Sequence, residues 1–304
     1  AIRLESAQFE IGDKEMEKKV YSSEIERDIR SAVENFEIVL REQVARNQLM
    51  RAEREERGAA DKTGDLAPNS NIDKVIIGTA AGDGIGPIIM TEAEKVLKAV
   101  LRDRLAIGSL VLKPIEGFTL ENRLAAGKTV PDSVMAAMSE CDVLLKGPTT
   151  TPNAAMNTAN IESANVYLRK SFDLFANVRP VSIPEEGIDW TFFRENTEGE
   201  YALGSKGEYI TGELAVDFKV TTDEGTERIA RAAYEYARAN GKKRVSIVTK
   251  ANIMKKTDGN FLNICREVAK DYPEIETDSW FIDIMAANLV NKEIRSNFQV
   301  FVLP

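Results

Sequence analysis

From residue 75 the chain alternates short apolar runs with longer amphipathic stretches, which restricts it to an α/β fold built on a mainly parallel sheet. VIIGTA (75–80) reads as a short buried strand, and AGDGIGP (81–87) turns it into a helix over 88–105. LVLKPI is the next strand, helical material runs through Ala137, and DVLLKGP (142–148) is a third strand. The same rhythm returns with WTFFRE (190–195), a helix over 223–240, KRVSIVTK (243–250), a helix over 258–271 and, after WFIDIMAANLV, the strand FQVFVL. The glycine turn is not a dinucleotide fingerprint, because GxGxxG would need glycine at 82, 84 and 87 and the last of these is Pro87. Proline there suits the first turn of a helix.

The first 72 residues read differently. A helix is expected over 14–57, where Ile25, Ile29, Ala32, Val33, Phe36, Val39, Leu40 and Val44 recur at three- and four-residue steps. Residues 1–12 are too short to judge, though a strand is compatible with them, and GAADKTGDLAPNSN reads as a linker. The apolar stripe serves equally for packing on its own domain or for docking a protein partner. Residues 207–220, GEYITGELAVDFKV, alternate weakly and carry β-formers.

A length of 304 residues suits about two domains. The formal charge of −9 disfavours nucleic acid and anionic membranes as partners, so an anionic substrate needs a local cationic pocket. No 18-residue apolar run and no signal-peptide pattern occurs, so a membrane-bound or exported chain is not expected. Cys141 and Cys265 lie far apart in apolar settings, which fits reduced thiols in a cytoplasm. Histidine is absent, which excludes Ser-His-Asp and Cys-His catalysis within these residues and leaves acid–base work to Lys, Tyr, Asp, Glu or Cys.

That cationic pocket is expected at Arg169, Arg179 and Arg194. Arginine binds planar carboxylates bidentately and keeps its charge. Phe172, Leu174, Phe175 and Val178 lie between the first two and read as a buried run, so the flanking cations need an anion. With Ser163, Asn165, Tyr201 and the Lys250/Asn252 pair they outline a pocket for a small acid with several carboxylates. Lys146 ends a strand and Thr151 follows it, at the carboxyl edge where ligands of parallel sheets gather; both are assigned to cofactor binding, as is Asn252. Asp283 sits in the apolar run FIDIMAANLV and reads as a buried carboxylate in need of a cation.

KGPTTTPNAAMNTANIESANVYLRKSFDLFANVRP, FFRENTEGEY, VTKANIMKKTDGNF and FIDIMAANLV together resemble the isocitrate/isopropylmalate dehydrogenase family, most closely its isocitrate dehydrogenase branch, over residues 73–304. The resemblance implies an α/β fold of two domains with a cleft between them: 73–174 the first half of a large domain, 175–304 a small one, and 1–72 an extension without a family counterpart. It implies oxidative decarboxylation of isocitrate to 2-oxoglutarate and CO2 with NAD or NADP and Mg2+ or Mn2+. Arg169, Arg179 and Arg194 match the arginines that clamp substrate carboxylates. Lys250 matches the lysine that takes the hydroxyl proton, Tyr201 the acid that protonates the enol, and Asp283 a metal ligand. Residues 207–220 match an arm that pairs two subunits, so a homodimer with shared active sites is implied. The polar pair Ser163 and Asn165 favours a third substrate carboxylate over a branched alkyl group. The alternatives are 3-isopropylmalate or a related 2-hydroxy acid as substrate, and a non-catalytic, regulatory subunit. Two departures stand out. Ile88 replaces the usual Glu after Pro87, and the sequence stops at Pro304, before the segment with two further aspartates and the part that holds the adenosine end of the cofactor. The large domain is therefore expected without its C-terminal part.

Overall fold

A computed structural model describes residues 23–57, 74–152, 161–201, 203 and 206–304. Residues 1–12, the helix start at 14–22 and the linker at 58–71 lie outside the described residues. The chain divides into two units, Ala1–Arg54 with Leu203–Phe218, and Glu55–Ala202 with Lys219–Pro304. No described helix is long and apolar enough to cross a membrane.

In the first unit, most of α1 (Ser23–Arg57) lies with an antiparallel ribbon of β6 (Glu208–Ile210) and β7 (Leu214–Val216). Phe36 meets Phe218 edge-on at 4.6 Å, and Asn35 Nδ2 donates to Glu208 at 2.7 Å. Ala32 and Val39 are buried, but Val33, Leu40 and Val44 are exposed. The predicted stripe is therefore too wide. Successive helical residues are 100° apart, so Val33 and Leu40 turn away from the face that Ala32 and Val39 bury.

The second unit holds two sheets. In the smaller, β1 (Val75–Ala80) lies between β2 (Leu110–Pro114) and β3 (Val143–Lys146), all parallel. The helix after β1 is α2 (Gly86–Val100), with Pro87 in its first turn, and a short α3 (Arg102–Ala106) follows. α4 (Leu120–Ala126) and α5 (Asp132–Ser139) bridge β2 and β3. The glycine turn packs against the loop after β3. Gly82 has φ +72°, and a Cβ there would stand 2.1 Å from the carbonyl oxygen of Pro148. Asp83 then ties two loops together, accepting from Leu120 N at 2.6 Å and Thr150 N at 2.8 Å.

The larger sheet runs β4–β5–β10–β8–β9, with β4 (Ala176–Ile183) antiparallel to β5 (Ile188–Glu195) and β10 (Val300–Leu303), β8 (Arg244–Thr249) and β9 (Glu276–Phe281) parallel to β5. β4 holds Pro180, which an edge strand tolerates. On one face Phe193, Val245, Ile247, Val300 and Val302 pack under α7 (Asp223–Ala239) and α8 (Thr257–Ala269). On the other, Trp190, Val248, Phe298 and Phe301 pack with Met285 of α9 (Ile282–Val290). Both faces are covered, which explains the near-continuous apolar strands in the sequence. α6 (Ala164–Ser171) precedes β4.

Two expectations need correction here. Leu174 and Val178 are not buried but 50% and 40% exposed. They lie just before and on an edge strand, at the margin of the helices that cover the central strands. Asp283 is not buried either. It sits in the first turn of α9 with its side chain 61% exposed, because the apolar run around it is a helix start rather than a strand interior.

Candidate functional site

Arg194 lies near the end of β5, and Arg169 in the last turn of α6. Arg194 Nη1 donates to Tyr201 Oη at 2.5 Å, and its guanidinium lies 4.5 Å from the centre of the Tyr201 ring. Arg169 approaches the same ring at 5.8 Å. Burial, then the like charge of Arg194 and of Arg179, holds the Arg169 guanidinium below the usual arginine range, with Tyr201 opposing. Lys146 belongs to this cluster too, since burial and the nearby charge of Arg169 lower its pKa. The structure thus brings Arg169 and Arg194 together on Tyr201, with Arg179 on the strand beside Arg194.

Among the described residues, no carboxylate forms an ion pair with Arg169, Arg179 or Arg194. Neighbouring cations elsewhere are paired, Arg228 to Asp173 at 2.7 Å and Lys170 to Glu162 at 3.3 Å. Like charges held together without a counter-ion bind an anion favourably.

Asn165 shares a helical face with Arg169 at the i,i+4 spacing, and its Oδ1 accepts from Thr149 Oγ1 at 3.4 Å. Ser163 occupies the N-cap position of α6 without a capping bond from its side chain. Thr151 and Asn252 are exposed.

Lys250 and Asp283 form a separate pair, Nζ to Oδ1 at 2.9 Å, and the hydrogen bond from Lys250 holds the Asp283 carboxyl below its usual range. Lys250 follows β8 directly and Asp283 follows β9, so both lie at the carboxyl edge of the sheet that also carries Arg194. Two strand spacings, about 10 Å, separate the Arg194 strand from the Lys250 strand. Among the described residues no group of three His, Cys, Asp or Glu side chains is placed to hold a metal. Asp283 is also engaged by Lys250. The described residues do not on their own assemble a ligand set for Mg2+ or Mn2+.

Several supporting residues escaped the sequence reading. Buried Asp258 accepts from Lys250 N at 2.6 Å and pairs with Lys219 at 2.7 Å, which fixes the turn that carries Lys250. Arg123 is buried without an ion-pair partner among the described residues and donates to the carbonyls of Thr129, Thr150 and Glu162 at 2.7, 2.9 and 3.4 Å. Burial lowers its pKa, opposed by Asp83. Glu195 is buried beside Arg194 and accepts from Thr197 N, Thr197 Oγ1 and Glu198 N at 2.7, 2.7 and 2.5 Å. Burial and the Glu198 charge raise its pKa. The run ENTE, two acids around an amide and a hydroxyl directly after a site arginine, is the signal that could have found this knot.

The isocitrate/isopropylmalate dehydrogenase family model matches residues 76–304. A regulatory subunit of the mitochondrial NAD isocitrate dehydrogenase of Dictyostelium discoideum is 35% identical over 247 residues, 79% of this chain and 63% of that protein. Subunit 2 of the mitochondrial NAD enzyme from Schizosaccharomyces pombe is 37% identical over 74% of this chain and 57% of its own length. The crystal structure of isocitrate dehydrogenase from Methylococcus capsulatus matches with a TM-score of 0.62 at 34% identity, covering 75% of this chain and 66% of that one. The chain therefore spans less than two thirds of the length of the relatives named first. The expected cytoplasmic location is overturned, since the Dictyostelium and Schizosaccharomyces relatives and others of comparable similarity are named as mitochondrial. Free Cys141 and Cys265 carry no address within the cell. Long motifs in order, a shared α/β fold and the match over three quarters of its length lead to one conclusion: the chain belongs to the isocitrate/isopropylmalate dehydrogenase family and is most like its isocitrate dehydrogenases.

Proposed function

We propose that this chain is a subunit of an NAD-linked isocitrate dehydrogenase and carries a substrate-binding site for isocitrate. The carrying observation is the pairing of Arg169 and Arg194 on the Tyr201 ring, with Arg179 on the strand beside Arg194 and no acid partner for the three among the described residues. In this reading the arginines hold the substrate carboxylates, with Asn165 and Ser163 hydrogen-bonding the third. Tyr201 accepts a hydrogen bond from Arg194, which leaves its own proton free to be donated to the enol carbon after CO2 departs. Lys250 would take the hydroxyl proton, and a bound nicotinamide would supply the oxidant. Lys146, Thr151 and Asn252 are assigned to the cofactor side. Lys250 and Asp283 contact each other rather than the arginine cluster, which supports their serving the site of a second subunit in a homodimer. Residues 73–174 and 175–304 would then be the two walls of the cleft.

A second reading, a regulatory subunit that binds isocitrate without oxidising it, is favoured by the regulatory role in the name of the Dictyostelium relative. One experiment separates them. The protein is incubated with isocitrate, 3-isopropylmalate or tartrate, with Mg2+ and either nicotinamide, and both binding and reduced nicotinamide are measured. Binding and turnover of isocitrate support the catalytic reading, and binding without turnover the regulatory one. Preference for 3-isopropylmalate contradicts both.

A further inference from the structure

Arg179 and Arg194 sit on neighbouring antiparallel strands, linked through two amides. Asn177 stands opposite Arg194 in register and two residues before Arg179, so the three side chains leave the same face of the β4–β5 ribbon. Arg179 Nε donates to Asn177 Oδ1 at 2.8 Å, and Asn177 Nδ2 donates to Asn196 Oδ1 at 3.3 Å. Arg194 Nη2 donates to that same Asn196 oxygen at 3.3 Å. Buried Asn196 is anchored in turn, its Nδ2 donating to the Leu174 carbonyl at 2.9 Å and its backbone N–H to the Phe175 carbonyl at 2.8 Å. Each amide turns its oxygen to a guanidinium and its nitrogen to an acceptor, an arrangement that a flip of either would break.

A carboxylate would hold a guanidinium in the same place, but it would also neutralise it and compete with an arriving anion. An amide oxygen fixes the direction and leaves the charge. We propose that Asn177 and Asn196 are positioning residues, a neutral relay that orients Arg179 and Arg194 for an anionic ligand and keeps their charge available to it. The ligand's identity as isocitrate rests on the reading above; the relay itself does not.

The test compares Asn177→Ala, which loses the bond, with Asn177→Asp, which keeps an acceptor but adds a charge. Isocitrate is titrated calorimetrically into the assembled protein, and KM and kcat are measured. Asn177→Ala should weaken binding about tenfold, the scale of one hydrogen bond to a charged group, with kcat within about threefold. Asn177→Asp should weaken it further, about a hundredfold, although it is nearly isosteric. Because Asp also loses the donor to Asn196, thermal unfolding of both ligand-free variants is measured alongside, and an Asp variant that binds as well as the Ala variant overturns the proposal. In parallel, 15N-arginine NMR follows exchange of the Arg179 Nε–H without ligand. Exchange about tenfold faster in Asn177→Ala supports the relay, and unchanged exchange refutes it. If the parent protein binds no isocitrate, the functional reading fails and the NMR result alone decides the relay. If Asn177→Asp does not fold, Asn177→Ala and the NMR result decide.

Discussion

Replacing Arg194 by lysine keeps the charge and removes the geometry. In the native side chain one nitrogen reaches Tyr201 Oη at 2.5 Å, another reaches Asn196 Oδ1 at 3.3 Å, and the guanidinium lies 4.5 Å from the ring centre. A lysine ammonium is a point charge on a flexible stem and cannot hold both acceptors while facing the ring. The loss of one hydrogen bond involving a charged group, with part of a cation–π contact, amounts to about 2–4 kcal/mol of substrate and transition-state binding. That corresponds to a fall in kcat/KM of about 30- to 1000-fold. Stability should change less than binding does, because the side chain is only half-buried and lysine leaves the positive charge beside Arg169 unchanged. Steady-state kinetics with isocitrate and NAD, alongside thermal unfolding, make the measurement. A kcat/KM within about threefold of the parent, in a folded Arg194→Lys protein, would refute the argument that this guanidinium is an oriented ligand.

Three further outcomes are expected. Lys250→Met and Arg169→Ala homodimers should each be inactive on isocitrate, yet a mixture with proven subunit exchange should recover part of the activity, since one site would receive both intact residues; no recovery would contradict the shared site. Glu195 has a raised folded-state pKa, so its contribution to stability is fully present below the unfolded value near 4.5 and is lost as pH rises through the folded value. The stability of the parent relative to Glu195→Gln, followed by urea unfolding from about pH 8 down to about pH 4, should therefore increase as pH falls; a flat difference would contradict it. Gly82→Ala should destabilise by about 3 kcal/mol, read from the urea midpoint, because φ is +72° and the new Cβ would meet the Pro148 carbonyl at 2.1 Å.

The inner strands of the larger sheet were legible because that sheet is covered on both faces, so SIVT and VFVL appear as near-continuous apolar runs. The arginine cluster was legible for another reason: three fixed cations in one short region demand an anion wherever the backbone places them. The edge strand β4 was not. ANVRPVSI contains a proline and an exposed arginine, and only its place at the sheet margin makes that composition tolerable. Asp283 misled because apolar neighbours at a helix start look the same in sequence as those in a strand interior. The amide relay was invisible, since Asn177 and Asn196 are nineteen residues apart and meet only through the β4–β5 register. Asp83, Arg123 and Asp258 were missed likewise. Asp83 and Arg123 bond backbone groups of distant loops, Asp258 that of a turn eight residues earlier, and no spacing rule encodes such contacts.

The claim on which the account depends is that Arg169, Arg179 and Arg194 form an anion site matched to a tricarboxylate. Calorimetric titration of isocitrate into the parent and into Arg169→Ala, with 3-isopropylmalate as the competitor, tests it most directly. The account predicts saturable binding of isocitrate that exceeds that of 3-isopropylmalate and falls at least about a hundredfold in Arg169→Ala, the scale of a lost bidentate carboxylate contact. Equal binding of isocitrate by parent and variant, or tighter binding of 3-isopropylmalate, would contradict it.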